Sequence, residues 1–263
     1  MALYVRPTVR RRVSNVSSYV LFFAIIVILA FVGDWGMIAR NFGNLTVAKS
    51  LWPGVLRAAF NTILYTAICF IVGTVLAVVF ALMKLSSGPF KWFAVGFIEL
   101  FRGLPALLTI LIFAFGLPLA FRFRWPISNV TAGLVALILV TAAYTAEVIR
   151  AGIIAVPKGQ KEAAQSLGMS QMRTTISVIL PQALRIVIPP LTNEMVMLLK
   201  DTSLLYIAGA TIMTKELTLF AKDGVATNAN ATPYIVAGIF YLIITIPLTY
   251  LVSYLEKRMA VKK

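Results

Sequence analysis

The sequence has no histidine and a single cysteine, Cys69, among 263 residues. Without imidazole there is no histidine general base, no histidine-containing triad and no histidine-ligated zinc. One cysteine forms no internal disulfide and no cysteine-rich metal site. Acidic residues are scarce, nine Asp and Glu against 24 Lys and Arg, and no G-x-x-x-x-G-K-[ST] stretch occurs, so the chain carries no P-loop. Energy for any work must come from an ion gradient or from another polypeptide. Charged residues make up only 13% of the chain, about half the share usual in soluble domains.

What remains is apolar. Hydrophobic residues are 60% of the chain and the mean hydropathy is +0.92. A soluble globule cannot hide that much apolar surface, so the sequence reads as an all-α integral membrane protein. The net charge of +15 would suggest nucleic acid in a soluble domain. Beside apolar spans it instead holds helix ends against anionic lipid headgroups, and membrane lipids, not nucleic acid, are the expected contact.

A spanning helix needs about 20 mainly apolar residues. Six segments qualify, 18–38, 55–83, 92–120, 129–150, 186–210 and 233–255. No small-x-small cleavage site follows the first; Phe31-Val32-Gly33-Asp34-Trp35 does, and the segment reads as an uncleaved anchor. With the N-terminus inside, 15 of the 24 basic residues face the cytoplasm, among them Arg6, Arg10, Arg11, Arg12, Lys262 and Lys263. Seven lie outside, and Arg102 and Lys200 fall within spans. That asymmetry predicts both termini in the cytoplasm. Three regions follow: 1–53, with a basic N-terminus, an extra membrane helix and an outer linker; 54–256, the main body; and 257–263, a basic cytoplasmic tail. Within the linker, 40–54 has room for an interfacial helix.

The segment 157–185 is too polar to span. Helix-forming residues run from Lys158 to Leu167 and stop at Gly168, a natural helix-ending position. Ser170 caps a second short helix, which Pro181 is expected to end. The two make a bent hairpin on the inner surface, thin at Ala163 and Ala164, which rests on headgroups or receives another protein.

Ionisable residues inside spans are costly and mark candidate sites. The third span carries Glu99 and Arg102 on one face, with Gly103 and Pro105 loosening the backbone just beyond. They either line a cavity or pair with each other. In the fifth span Lys200 and Asp201 are adjacent and point in different directions. Asn193, Met197 and Asp201 form an i, i+4, i+8 stripe, a pathway wall or a contact with a partner subunit. Glu147 and Arg150 share a face at the inner end of the fourth span and read as structural.

The pattern Glu162-Ala163-Ala164, Gly168, then Val178-x-Leu180-Pro181 resembles the EAA loop of ABC importer permeases, with Val178 where isoleucine is usual. Asn61-Thr62, Glu99-Leu-Phe-Arg-Gly-Leu-Pro105, Ala143-Tyr144-x-x-Glu147-x-x-Arg150, Lys158-Gly159-Gln160, Leu180-Pro181-Gln182-Ala183-Leu184-Arg185 and Lys200-Asp201-Thr202-Ser203-Leu204 extend the resemblance to the polar amino acid branch of that family. Leu104 stands where threonine is usual.

The resemblance implies a type I ABC importer transmembrane domain, with a five-helix core and one additional N-terminal helix, in a bacterial cytoplasmic membrane. It implies a second permease subunit, two ATPase subunits that hold ATP and magnesium, and an extracytoplasmic solute-binding protein. This chain would hold no cofactor or metal and catalyse nothing by itself. Gln160, Glu162, Ala163, Ala164 and Gly168 would couple to the ATPase. Glu99, Arg102, Asn193, Met197, Asp201, Thr202 and Ser203 would line the substrate path. The buried charges nearly balance, which suits a zwitterion, with glutamate or glutamine favoured over a cationic amino acid. An ion-coupled secondary transporter is the competing class, and no internal repeat supports it. A membrane enzyme is disfavoured by the missing histidine and the lack of a paired-carboxylate motif.

Overall fold

The structure, a computed structural model, describes residues 18–25, 27, 28, 31–125 and 129–259. The expected basic N-terminus (Arg6, Arg10, Arg11 and Arg12) and Lys262 and Lys263 of the tail lie outside the described residues. Among those described there is no strand.

Ten helices follow the first anchor: α1 Trp35–Phe42, α2 Leu45–Ser50 and α3 Gly54–Leu85, then α4 Pro89–Gly103 and α5 Ala106–Phe121. After these come α6 Asn129–Ile154, α7 Lys158–Ser166, α8 Gln171–Ala208, α9 Leu217–Asn228 and α10 Thr232–Met259. Of these, α3, α6, α8 and α10 are each long and apolar enough to cross a bilayer. Together α4 and α5 make a fifth, bent by 104°.

Two expectations are corrected. The first apolar segment does not run unbroken to residue 38. Helix is interrupted at Gly33-Asp34, and the Asp34 side chain accepts the Met37 N–H at 2.8 Å and starts α1 anew. Within 40–54 lie the end of α1 and the whole of α2. Lys257 and Arg258, the first basic residues of the tail, stand in the last turn of α10.

Pro181 does not end a helix. Helix α8 runs through it after a π-turn at Thr175–Ile179. There the Leu180 N–H reaches back five residues to the Thr175 carbonyl, and the wider turn accommodates the proline ring that would crowd a tight one. The Gln182 side chain takes up the Val178 carbonyl at 3.0 Å.

The core lies where α3 and α6 meet α5 and the outer half of α8. Tyr65, Cys69, Ile110, Ala136, Leu137, Leu198 and Leu205 are buried together there. A Cβ on Gly73 would stand 2.9 Å from Thr141 Cγ2 and 3.3 Å from the Ile138 carbonyl, so α3 and α6 approach as closely as they do only over a glycine. A second cluster, Val55, Ala58, Leu217, Ala221 and Ala237, packs α9 between α3 and α10.

Candidate functional site

The break between α4 and α5 positions the first region. Leu104 precedes Pro105 and is extended, φ −91° and ψ 137°, as a residue before proline must be. The chain turns there, and α5 lies across the ends of α6 and α8. A pocket of ≈ 140 Å³ opens between the three helices. Ala106 of α5, Thr141 and Tyr144 of α6, and Glu194, Met197 and Asp201 of α8 line it. Two carboxylates thus share one small cavity.

Arg102 stands at its edge. Its guanidinium carbon is 5.4 Å from the centre of the Tyr144 ring, an attraction worth about 0.5–2 kcal/mol. The Tyr144 hydroxyl donates to the Arg102 carbonyl at 3.3 Å. Tyr144 therefore ties the end of α4 to α6 and holds the cation against a ring that lines the pocket. Both Arg102 and Asp201 act electrostatically on Glu194. The ion pairs among the described residues are Lys84–Glu147, Arg150–Glu147 and Lys215–Asp223; Glu99–Arg102 is not among them.

The remaining predicted residues are placed as follows. Asn193 is exposed and its amide nitrogen contacts Met197 Sδ at 3.8 Å. Glu99 and Lys200 are exposed and do not line the pocket. Thr202 is buried, and its hydroxyl donates to the Leu199 carbonyl at 2.6 Å at the start of a 3-10 turn. Ser203 is half-buried, and neither residue lines the cavity. The charge around the cavity is therefore less balanced than the sequence suggests: two acids within it and one guanidinium at the rim. Tyr144 was reachable by sequence only as part of the Ala143-Tyr144-x-x-Glu147 stretch.

The second region is the inner hairpin. Helix α7 ends in a full Schellman arrangement. The Met169 N–H bonds to the Ala164 carbonyl at 3.2 Å and the Gly168 N–H to the Gln165 carbonyl at 2.9 Å, with Gly168 at φ +82°. Ser170 caps the next turn through the Arg173 N–H. Gln160, Glu162 and Ala163 are exposed, whereas Ala164 is buried. Leu167 and Met172 flank the turn at 85% and 70% exposure, a large apolar pair on a surface otherwise polar. Glu147 accepts from Lys84 at 3.0 Å and from Arg150, joining α3 to α6 at the end of α6 from which the hairpin leaves.

A transmembrane body with a broken helix, a small charged pocket and a polar hairpin bearing the EAA pattern defines a transporter subunit. The chain belongs to the family described as binding-protein-dependent transport system inner membrane component, which it matches over residues 70–261. It is 39% identical over 220 residues to the probable glutamine ABC transporter permease protein GlnM of Bacillus subtilis (strain 168), covering 82% of this chain and 98% of that protein. It is 34% identical to the arginine transport system permease protein ArtQ of the same organism, covering 79% and 93% of the two chains. A crystal structure of an amino acid ABC transporter with histidines matches at TM-score 0.74 and 35% identity, covering 81% and 97%. The MetNI methionine ABC transporter matches at TM-score 0.66 and 17% identity and supports the fold alone.

These findings bear out the all-α, type I importer fold and the resemblance to polar amino acid ABC permeases. The chain is a multi-pass membrane component of a transport system.

Proposed function

We propose that this chain is the permease subunit of an ATP-driven importer of glutamine or glutamate, with the α5–α6–α8 pocket as part of the substrate path. The pocket carries this reading. Glu194 and Asp201 offer two acceptors for an α-ammonium group, and Arg102, held at the rim by Tyr144, offers a fork for the α-carboxylate. A neutral amide side chain adds no charge to a site that already holds two acids, so glutamine is the better fit of the two. The 39% identity to a probable glutamine permease agrees. A cationic amino acid is the second reading, favoured by the excess of carboxylates over cations and by the 34% identity to an arginine permease.

In this reading residues 54–256 form the permease domain and 1–53 an added extension, in a bacterial cytoplasmic membrane with both termini inside. A second permease subunit completes the path, on the side where Met197 is half exposed and Glu99, Arg102 and Asn193 are uncovered. Two ABC ATPase subunits, holding ATP and magnesium, engage Gln160, Glu162, Ala163 and the exposed Leu167–Met172 pair around Gly168. A solute-binding protein delivers substrate from outside. Closure of the ATPase pair moves the hairpins and switches the path between outward-facing and inward-facing states.

The test is uptake competition with the complete complex in proteoliposomes. Unlabelled glutamine is expected to displace labelled substrate best, with arginine and lysine ineffective. Competition by arginine and not by glutamine selects the second reading. Arg102→Lys keeps the charge and loses the fork, so apparent affinity is expected to fall by about tenfold, near 1.4 kcal/mol, with assembly retained. Near wild-type uptake at limiting substrate would remove Arg102 from the site.

A further inference from the structure

Among the described residues one Asp, Glu, Lys or Arg is buried. Glu216 is 2% exposed. It precedes α9, outside the spanning helices, and caps it. One carboxyl oxygen accepts the Leu219 N–H at 2.7 Å and the other accepts the Thr218 N–H. The second oxygen also lies 3.3 Å from the Tyr241 hydroxyl of α10, which in turn is 3.1 Å from Thr218 Oγ1.

The loop before it, 209–216, is fastened to α3 through its backbone. The Asn61 amide donates to the Met213 and Lys215 carbonyls, both at 2.9 Å, and the Tyr65 hydroxyl donates to the Thr214 carbonyl at 2.9 Å. Thr62 accepts the Leu217 N–H at 3.2 Å. Loop, α9, α3 and α10 therefore meet at one carboxyl group.

No cation balances it. Lys215 is paired with Asp223 of α9. Lys222 lies over the Tyr206 ring, and Arg57 of α3 contacts Met213 Sδ. The groups facing Glu216 are hydroxyls and amides: Thr62 and Tyr65 from α3, Tyr241 from α10, and Thr218 and Leu219 from α9 itself. Hydrogen bonds satisfy either form of the group, because Tyr241 donates to a carboxylate or accepts from a carboxylic acid. Burial, however, disfavours only the charged form.

We propose that Glu216 is a proton-operated latch: its protonated carboxyl keeps α9 and the 209–216 loop docked on α3 and α10, and ionisation favours their release. The loop joins α9 to the 3-10 turn that directly follows Asp201, so the latch bears on the end of α8 that lines the pocket. Nothing in the latch depends on which solute crosses.

The direction in pH follows from the two states. Burial raises the Glu216 carboxyl from its ordinary 4.5 to about 7 when the latch is shut, against the opposing pull of its hydrogen bonds. Below 4.5 the group is protonated open or shut, and the shut form has its full advantage. Between 4.5 and about 7 opening releases a proton, so the opening equilibrium rises about tenfold per pH unit. Above about 7 both forms are ionised and the dependence ends.

Hydrogen exchange measured by mass spectrometry on the full-length protein in detergent tests this, with rates corrected for the intrinsic pH dependence of amide exchange. In peptides from 209–221, protection is expected to fall about tenfold per unit from pH 5 to 7 and to level off above. Glu216→Gln, which keeps an acceptor for the cap but cannot ionise, should stay flat at the wild-type pH 5 level. Tyr241→Phe removes a donor to the carboxylate and should move the levelling point upward. Equal slopes in wild type and Glu216→Gln, or a flat wild-type profile, overturn the latch. Should Glu216→Gln not fold, an unshifted Tyr241→Phe profile overturns it instead.

Discussion

Two glutamates fasten opposite ends of this bundle by different means. Glu147, at the inner end, is partly hydrated and pinned between Lys84 and Arg150. Glu216, at the outer end, is dry and held by amides and hydroxyls alone. The 22 residues of α3 between Lys84 and Thr62 place the two sites about 33 Å apart. An ion pair keeps its partners charged over a wide pH range, so the inner fastening is indifferent to protons and sensitive to salt. A buried carboxyl among neutral donors responds to protons and is shielded from salt. One end of the bundle is thus fixed by charge, and the other is adjustable.

The largest test of that contrast lies below Glu147. Gly168→Asp forces a side chain into φ +82°, at a cost of about 1–2 kcal/mol for a non-glycine residue, on the exposed turn proposed to meet the ATPase. Transport is expected to disappear and ATPase subunits to fail to co-purify, while the spans still insert. Normal uptake would show that the hairpin couples elsewhere.

Glu147→Ala comes next. It leaves two cations facing each other with no acid between them, and loss of charged hydrogen bonds of this kind costs about 2 kcal/mol. The thermal midpoint in detergent should fall by several degrees, and hydrogen exchange should accelerate in 150–168 but not in 209–221. Acceleration at both ends would dissolve the distinction.

The smallest effect is that of salt on the wild type. Raising ionic strength from 0.1 to 1 M shortens the screening length from about 10 to 3 Å. Exchange near Glu147 should rise about twofold, with no change around Glu216. A salt response at Glu216 would mean that water reaches the carboxyl.

Much of this architecture was legible beforehand. Span positions followed from length and hydropathy, because a bilayer imposes both. The fracture of the third span was marked by Gly103 and Pro105, whose backbone restrictions are local. The turn at Gly168 was legible for the same reason. Pro181 misled, since a π-turn several residues upstream absorbs it and no local rule announces such a turn. At 200–201 the alternation of directions was readable, but the exclusion of Glu99 and Lys200 from the pocket was not. For Glu99 that depends on how the chain bends by 104° between α4 and α5, and for Lys200 on which face of α8 turns towards α5 and α6. Glu216 was unreadable for a different reason. In Thr214-Lys215-Glu216-Leu217-Thr218 it has the look of an outer loop, and only the docking of α9 between two spans buries it. An acid directly before an apolar helical run, the mark of a capping residue, was the one available hint.

The segment before α3 has a consequence in time. Its short helices are bound to the start of the last span: the Asn230 amide donates to the Arg40 carbonyl at 2.8 Å and the Ala231 N–H to the Asn41 carbonyl at 2.9 Å. The Asn44 N–H donates to Thr232 Oγ1 at 3.0 Å. The groups that satisfy residues 40–44 lie some 190 positions later in the chain. The clasp therefore shuts only after everything between has been made and α10 has arrived, and a chain cut short anywhere before Asn230 leaves 40–44 without these partners.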